Sequence, residues 1–224
     1  MKQKNEEYHI INDIKCKIVY EKIKNTYIQI KDGEVIIKTS PREDVVNSKA
    51  DWINKKLQEQ SRKINTTYKD GSTVRVLGKP YTLKIMYTDA KRNKLNMDNQ
   101  YLYCDLSRDC RANEQENVKK LIDKLYKYIA KEEVPSAMED LKVRTGLAPL
   151  ECNIKNLKAT WGICSSKKKI SINQNLMAYS RHAIEYVCLH EICHLKHMNH
   201  SKQFWNMVEY YMPDYREAKK ELKS

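Results

Sequence analysis

The chain has 224 residues, of which 41% are hydrophobic and 32% charged, and its formal net charge is +13. These values are typical of a folded chain and exclude collagen-like, low-complexity and disordered classes. No apolar run approaches the ~18 residues that a membrane-spanning helix needs, so no membrane partner is expected. The excess of Lys and Arg favours anionic partners, with weak nucleic-acid association among them, or simply reflects a lysine-rich solvated surface.

The seven cysteines are an odd number, and they form no C-x-x-C pair. The first ten residues contain no apolar segment of the kind that secretory signals carry. Together the two observations predict free thiols in a reducing, cytoplasmic environment.

The first predicted elements are β-strands within residues 8–38. Apolar side chains recur at alternate positions there, and Asp32 and Gly33 separate two apolar runs. An Asp-Gly pair between two such runs is a strong hairpin signal, because glycine readily adopts the positive φ of tight hairpin turns. Pro41 closes this segment.

The spacing of apolar residues then predicts one helix over residues 43–64. Strand character returns over residues 72–87, and a short strand is expected at 101–104, followed by a loop. We find no internal repeat in the sequence. Residues 1–110 are therefore expected to form a β-rich N-terminal region with one helix.

Residues 111–224 are predicted to be more helical. Helical spacing indicates a helix over 114–133, and Pro135 suits the first turn of a separate helix that ends near Gly146. Short strands are expected within residues 152–173. The whole chain is therefore expected to have an α+β fold, with a helical core and a small sheet in its C-terminal region.

The next predicted helix carries a motif with a chemical meaning. Ser180 is the expected N-cap, and the helix runs to about residue 197 with apolar residues on most sides. It contains H-E-x-x-H at His190, Glu191 and His194. Two histidines four residues apart lie one turn apart on one face, so both imidazoles can bind one ion.

The glutamate of the motif is placed to act on water. Glu191 is turned about 100° from His190 on the helix, so its carboxylate can reach a metal-bound water without binding the metal. Such a water has a lowered pKa, and a nearby carboxylate can accept its proton. The pattern predicts a zinc-dependent hydrolase with Glu191 as general base.

A catalytic zinc site uses three protein ligands and leaves one position open. His197 lies about 10.5 Å along the axis from His190, so it cannot complete the site on a straight helix. His200 can do so if the helix ends first, and Asn199 in the left-handed conformation would end it. We predict His200 as the third ligand, and Ser201 as the N-cap of the following helix.

Two assignments stay open on the residues alone. A downstream carboxylate is the alternative third ligand, from Glu209, Asp214 or Glu217. A peptidase also needs a group that stabilises the oxyanion, and the sequence does not choose one. The candidates are Tyr179, Tyr186, Arg181, Tyr210 and Tyr211.

Three sequence blocks resemble a known family. They are W-G-x-C-S-S from Trp161 to Ser166, K-K-I-S-I-N ending at Asn173, and Y-V-C-L-H-E-I-C-H-L-K-H-M-N-H-S from Tyr186 to Ser201. In combination they resemble the YgjP-like metallopeptidase family, which is related more distantly to the SprT-like zinc proteins. The resemblance covers about residues 144–222.

The resemblance implies a zincin-like core, in which His190, His194 and His200 bind zinc beside a small sheet. It also implies that the block beginning at Trp161 forms strands next to the cleft, where an edge strand could pair with an extended peptide. The candidate substrate contacts in that block are Trp161, Cys164 and Ser165.

This chain departs from the family pattern at two positions. The family commonly has arginine before the Trp-Gly pair and serine after it, whereas Thr160 and Ile163 stand here. If that arginine binds an anionic substrate group, the role moves elsewhere, and Arg144 and Arg181 are the candidates.

Three functions remain open. The first is a zinc peptidase acting on peptides or proteins. The second is hydrolysis of a nucleoside triphosphate such as UTP, with Mn²⁺ or Mg²⁺ as possible metals, an activity assigned to proteins that resemble this family. Lys167, Lys168 and Lys169 could bind the phosphates, but no Gly-rich phosphate loop is present. The third is a DNA-associated protein-processing module, as in SprT-like proteins.

Overall fold

The computed structural model describes residues 6–11, 14–23, 27–31, 34–40, 67–158 and 160–223. The chain divides into two compact units, Met1–Thr66 and Thr67–Ser224. The domain boundary predicted after residue 110 lies inside the second unit, and the helix predicted over 43–64 lies outside the described residues. Among the residues described, no helix combines the length and the apolar character needed to cross a bilayer.

The first unit contains a four-stranded sheet. Its strands are β1 (Glu6–Ile11), β2 (Ile14–Tyr20), β3 (Tyr27–Lys31) and β4 (Glu34–Thr39), in the order β1-β2-β4-β3. The outer pairs are antiparallel and the central pair, β2 and β4, is parallel. The strands predicted within 8–38 are confirmed; the two residues of the Asp-Gly turn lie outside the described part.

The second unit begins with a sheet of the same topology. Its strands are β5 (Thr73–Val76), β6 (Lys79–Thr88), β7 (Lys94–Met97) and β8 (Tyr101–Ser107), in the order β5-β6-β8-β7. Again the outer pairs are antiparallel and the central pair is parallel. This repetition is not visible in the sequence. Strand β7 is absent from the predicted elements, because its residues are mostly exposed and show no apolar alternation.

The turn between β5 and β6 contacts the segment that leads into the candidate site. Leu77 and Gly78 both have positive φ, 49° and 80°, as a tight hairpin turn requires. Leu77 donates a backbone hydrogen bond of 2.8 Å to the Met177 carbonyl. A Cβ on Gly78 would lie 3.2 Å from the Ser180 backbone, so glycine permits this close approach.

Helix α1 (Glu114–Thr145) is continuous over 32 residues and ends at Gly146, whose φ of 68° closes it as expected. The predicted break before Pro135 is therefore wrong. A proline inside a helix costs ~3 kcal/mol, because it removes one backbone hydrogen bond. Pro135 lies on the exposed face of the helix, so the carbonyl that it leaves unpaired can bond water. Buried residues continue on both sides of it, and each Val, Leu, Ile or Met among them contributes about 1.5–3 kcal/mol. They are Val118, Leu121, Ile122, Tyr126, Ala130, Val134, Met138 and Leu141.

The remaining elements form a small sheet and three shorter helices. The sheet has the order β10-β11-β9, with β9 (Glu151–Lys155) parallel and β10 (Gly162–Cys164) antiparallel to the central β11 (Lys169–Asn173). A 3₁₀ turn, Gln174–Ala178, leads to α2 (Arg181–Cys193), α3 (Lys202–Tyr211) and α4 (Tyr215–Glu221). The α+β fold class and the short strands within 152–173 are confirmed.

Candidate metal centre

Helix α2 is fixed at its start by side chains. Ser180 is the N-cap, as predicted, and its Oγ accepts a hydrogen bond of 3.2 Å from the Ala183 amide. The carboxylate of Glu221, at the end of α4, accepts hydrogen bonds from the Ser180 amide and hydroxyl at 2.8 and 2.5 Å. An N-cap bonded to a carboxylate is favourable, because the N-terminus of a helix carries partial positive charge. The apolar residues of α2 then bury most of its surface.

The end of α2 differs from the prediction. The helix stops at Cys193, with His194 as its C-cap, rather than continuing to His197. Asn199 does not have a positive φ, so the predicted left-handed break at that residue is wrong. Instead, Nδ1 of His194 bonds to the backbone carbonyl of His197 at 3.0 Å, which closes the turn after the helix. Ser201 caps α3 as predicted.

This turn brings the three predicted ligands together. Ring centroids of His190, His194 and His200 are 4.8–4.9 Å apart in every pair. The Nε2 atoms of His190 and His200 are 3.0 Å apart, and one nitrogen from each of the three rings lies within 4.8 Å of the other two. Three imidazoles with converging nitrogens form a site of the kind that binds a transition metal.

The donor set fits zinc. Nitrogens bound tetrahedrally to zinc at 2.0–2.1 Å lie about 3.3 Å apart, close to the observed His190–His200 separation. Because Nδ1 of His194 donates to a carbonyl, its proton is fixed there and Nε2 keeps a free lone pair. Burial first, then the neighbouring His194, His200 and Lys219, lowers the pKa of His190 to about 3. His190 is therefore neutral at physiological pH, as a ligand must be.

The carboxylates considered as alternative ligands are not part of this cluster. Glu209 forms an ion pair with Arg216 at 3.1 Å. Asp214 lies 3.3 Å from Nε2 of His182. Within the part of the chain that the structure describes, the three histidines are the one group of His, Cys, Asp or Glu side chains with converging ligand atoms.

Glu191 lies beside the triad and is almost fully buried, with 5% of its surface exposed. Burial raises its pKa to about 7, because a carboxylate loses solvation there. Gly162 of β10 packs directly against it: a Cβ on this glycine would lie 2.6 Å from Oε1 and 2.7 Å from Cγ. Any larger residue would displace the carboxylate or the strand. A glycine inside a strand signals such close approach, so Gly162 in the W-G pair is the feature of the sequence that could have indicated this contact.

A cavity of about 540 Å³ opens next to the triad. It is lined by all three histidines and Glu191, by strand residues, and by the end of the chain. Its other lining residues are Thr160, Trp161, Gly162, Ile163, Cys164, Tyr186, Val187, Met198, Lys219, Leu222 and Lys223. Two of the predicted substrate contacts, Trp161 and Cys164, are among them.

Three other predicted substrate contacts lie elsewhere. Ser165 is in the turn after β10, where its Oγ accepts a hydrogen bond from the Lys169 amide. Arg144 pairs with Glu185 and donates to the Tyr211 carbonyl. A bidentate pair at 2.9 and 2.7 Å joins Arg181 to Glu133. None of the three lines the cavity, and both arginines already have carboxylate partners in the scaffold.

Of the candidate oxyanion donors, Tyr186 alone lines the cavity. Its ring packs edge-on against His190 and stacks on Tyr215. Burial raises the pKa of Tyr186 to about 12, so its hydroxyl stays protonated. Tyr210 is exposed, and Tyr179 packs edge-on against Trp161 without lining the cavity.

Comparison with known proteins agrees with this site. The model of the YgjP-like metallopeptidase domain matches residues 24–224, which is most of the chain. The chain belongs to the YgjP-like metallopeptidase family. The resemblance noted from the sequence is thus confirmed, and it extends well beyond the C-terminal blocks that first indicated it.

A solved structure is also similar over part of the chain. It is the crystal structure of the metallopeptidase zymogen of Pyrococcus abyssi abylysin, 24% identical, covering 40% of this chain and 90% of that one. The TM-score of the comparison is 0.37. No curated protein matches the sequence significantly.

Proposed function

We propose that this protein is a zinc-dependent peptidase, with His190, His194 and His200 as metal ligands and Glu191 as general base. The observation that carries the proposal is the convergence of three imidazole nitrogens next to a buried carboxylate, at the wall of a cavity. Membership of a metallopeptidase family supports the same reaction class. When bound, zinc would polarise the scissile carbonyl and lower the pKa of a water molecule.

Glu191 has the properties of a proton carrier. Its raised pKa, about 7, lets its carboxylate accept a proton from the attacking water and release it again at neutral pH. Because Gly162 has no side chain, the Glu191 carboxylate can occupy this position next to the strand. After attack, the same carboxyl group would donate the proton to the leaving amine nitrogen, which balances the hydrolysis.

Strand β10 offers a place for an extended peptide. Among the described strands it pairs with β11 alone, so it is an edge strand with main-chain groups available on its other side. Ile163, in its middle, lines the cavity with 47% of its surface exposed. A peptide that added to this edge would receive main-chain hydrogen bonds, while side-chain pockets would select its residues. The edge lies beside Glu191, where the scissile bond must lie.

The nucleotide alternative has weaker support. Of the three lysines considered as phosphate contacts, Lys169 forms an ion pair with Glu151 at 2.6 Å, and neither Lys167 nor Lys168 lines the cavity. The family match is to a peptidase. Neither comparison nor geometry favours a DNA-associated role.

The direct test is a peptide-library cleavage assay with zinc-loaded protein and with the Glu191→Gln variant. We expect cleavage by the wild type and loss of cleavage in the variant, with zinc content equal in both. Cleavage that persists in Glu191→Gln would exclude the proposed base. Metal-dependent release of pyrophosphate from nucleoside triphosphates, without any peptide cleavage, would replace the proposed function.

A further inference from the structure

One wall of the cavity carries positive charge. Lys219 in α4 and Lys223 just after it both line the cavity, together with the histidine triad and Glu191. Lys223 follows the last helical residue by two positions, and both lysines border the same cavity. This wall comes from the last ten residues of the chain, far in sequence from the H-E-x-x-H motif.

Lys219 is held next to the triad by an aromatic ring. Its Nζ lies 4.4 Å from the centroid of the Trp205 ring, which is a cation–π contact. Trp205 in turn stacks on the His200 ring, with centroids 5.6 Å apart and planes 22° apart. A single ring therefore connects the ammonium to a predicted metal ligand, and the side chain is partly ordered before any substrate arrives.

Three arginines of the same unit differ from Lys219 because each is paired with a carboxylate. Arg144 pairs with Glu185, Arg181 with Glu133, and Arg216 with Glu209. Among the residues that the structure describes, no carboxylate lies within ion-pair distance of Lys219. Its charge is therefore available to a group that enters the cavity.

We infer that Lys219 forms an anion subsite, which selects peptides with a carboxylate close to the scissile bond. This inference rests on the proposed function and names the substrate class of the same cavity. The carboxylate can be an acidic side chain or a free C-terminus, because a lysine ammonium is a flexible point charge that either can reach. The surrounding wall is largely apolar, with Trp161, Met198 and Leu222, so the ion pair is screened less than one on open surface.

The subsite can be tested by equilibrium binding, without turnover. The probes are hexa-alanine peptides with Glu or Gln at one position, each with a free or an amidated C-terminus. They are titrated into zinc-loaded Glu191→Gln protein, which binds without cleaving. We expect about tenfold tighter binding of the charged member of one pair, which corresponds to one partly buried ion pair. The pair that shows the preference identifies the source of the carboxylate.

Three further variants, each combined with Glu191→Gln, assign the preference to its residue. Lys219→Met should reduce the tenfold ratio to about one, whereas Lys219→Arg should keep most of it. Lys220→Met is the matched control, because Lys220 is exposed on the same helix and does not line the cavity. It makes the same change in net charge and should keep the full ratio. Unchanged thermal melting in all three shows that the fold is intact.

Three outcomes would overturn the inference. The first is equal binding, by Glu191→Gln protein, of the charged and the neutral member in both kinds of pair, Glu against Gln and free against amidated C-terminus. The second is an equal loss of preference in Lys219→Met and Lys220→Met, which would indicate net charge alone. The third is a loss of inorganic phosphate binding in Lys219→Met while the peptide ratio stays the same, which would assign the subsite to phosphate. Because these are binding measurements, they are distinguishable from a failure to find peptide cleavage.

Discussion

The two walls of the cavity that meet at Glu191 are built in different ways. The helical wall is α2, which is buried on most sides and held at its N-cap by Glu221. The strand wall is β10, an edge strand of three residues with an exposed Ile163. A buried helix fixes its side chains by packing, whereas an edge strand keeps main-chain groups available for a partner. Under the proposed function, the helix would therefore supply the rigidly placed groups for the reaction, and the strand would offer an edge along which an extended substrate can lie.

The largest expected effect is on the helical wall. His194→Ala removes one of three converging nitrogens, so we expect loss of stoichiometric zinc and of all cleavage above background. Zinc per chain, measured by atomic spectroscopy after dialysis, checks this. His197→Ala is the matched control, since that residue gives its backbone carbonyl to His194 and should keep its zinc. Full zinc retention in His194→Ala would remove it from the ligand set.

The second largest effect is expected for a residue of the same wall that acts in the chemical step but does not bind the metal. Glu191→Gln keeps the shape of the side chain but cannot accept a proton, so kcat should fall by ~10²–10⁴-fold with zinc unchanged. Glu185→Gln, on the same helix but outside the cavity, should keep kcat within about twofold, as for a partly exposed ion pair. A Glu191→Gln enzyme with full activity would contradict the role of this carboxylate.

The third effect tests the contact between the walls. Gly162→Ala places a Cβ 2.6 Å from Oε1 of Glu191, so the carboxylate must shift and kcat should fall by about 10²-fold, with zinc unchanged. In the Glu191→Gln background the same substitution should cost little more, because it acts through that side chain. Additive losses in the double variant would show that Gly162 has a separate, structural role.

The smallest effect is expected on the strand wall. Ile163→Ala shortens an exposed side chain that lines the cavity, so it should weaken peptide binding by about fivefold, the value of one apolar contact of ~1 kcal/mol. The change should appear in KM, with kcat nearly constant, in steady-state cleavage of one peptide. A large fall in kcat with unchanged KM would show that the strand takes part in the chemical step, and would contradict the different roles expected for the two walls.

The features that could be predicted from the sequence are local. Ser180 and Ser201 cap helices because a side-chain oxygen reaches an amide three residues on. His190 and His194 lie together because they are one turn apart. Two of the predictions that are wrong concern where a helix breaks: at Pro135, burial on both sides outweighs a local cost, and after His194, a histidine–carbonyl bond closes the turn without a left-handed Asn199.

Similarity between the two four-stranded sheets illustrates the opposite case. In both sheets two antiparallel hairpins lie side by side, and their inner strands form a parallel pair. No repeat is visible in the sequence. Strand pairing depends on which backbones meet, and many different residues satisfy the same alternation of buried and exposed positions. Topology of this kind follows from tertiary contacts that no short motif encodes.

By itself, the sequence determined the α+β class, the H-E-x-x-H helix and the family resemblance, because each depends on residues within a turn or a short block. Tertiary structure alone decided which distant residues share the cavity. It brought Gly162 against Glu191, placed Lys219 beside Trp205, and kept Arg144 and Arg181 out of the cavity by pairing them with scaffold carboxylates. The physical reason is that helix periodicity acts over a few residues, whereas burial and charge pairing act between elements wherever packing brings them together.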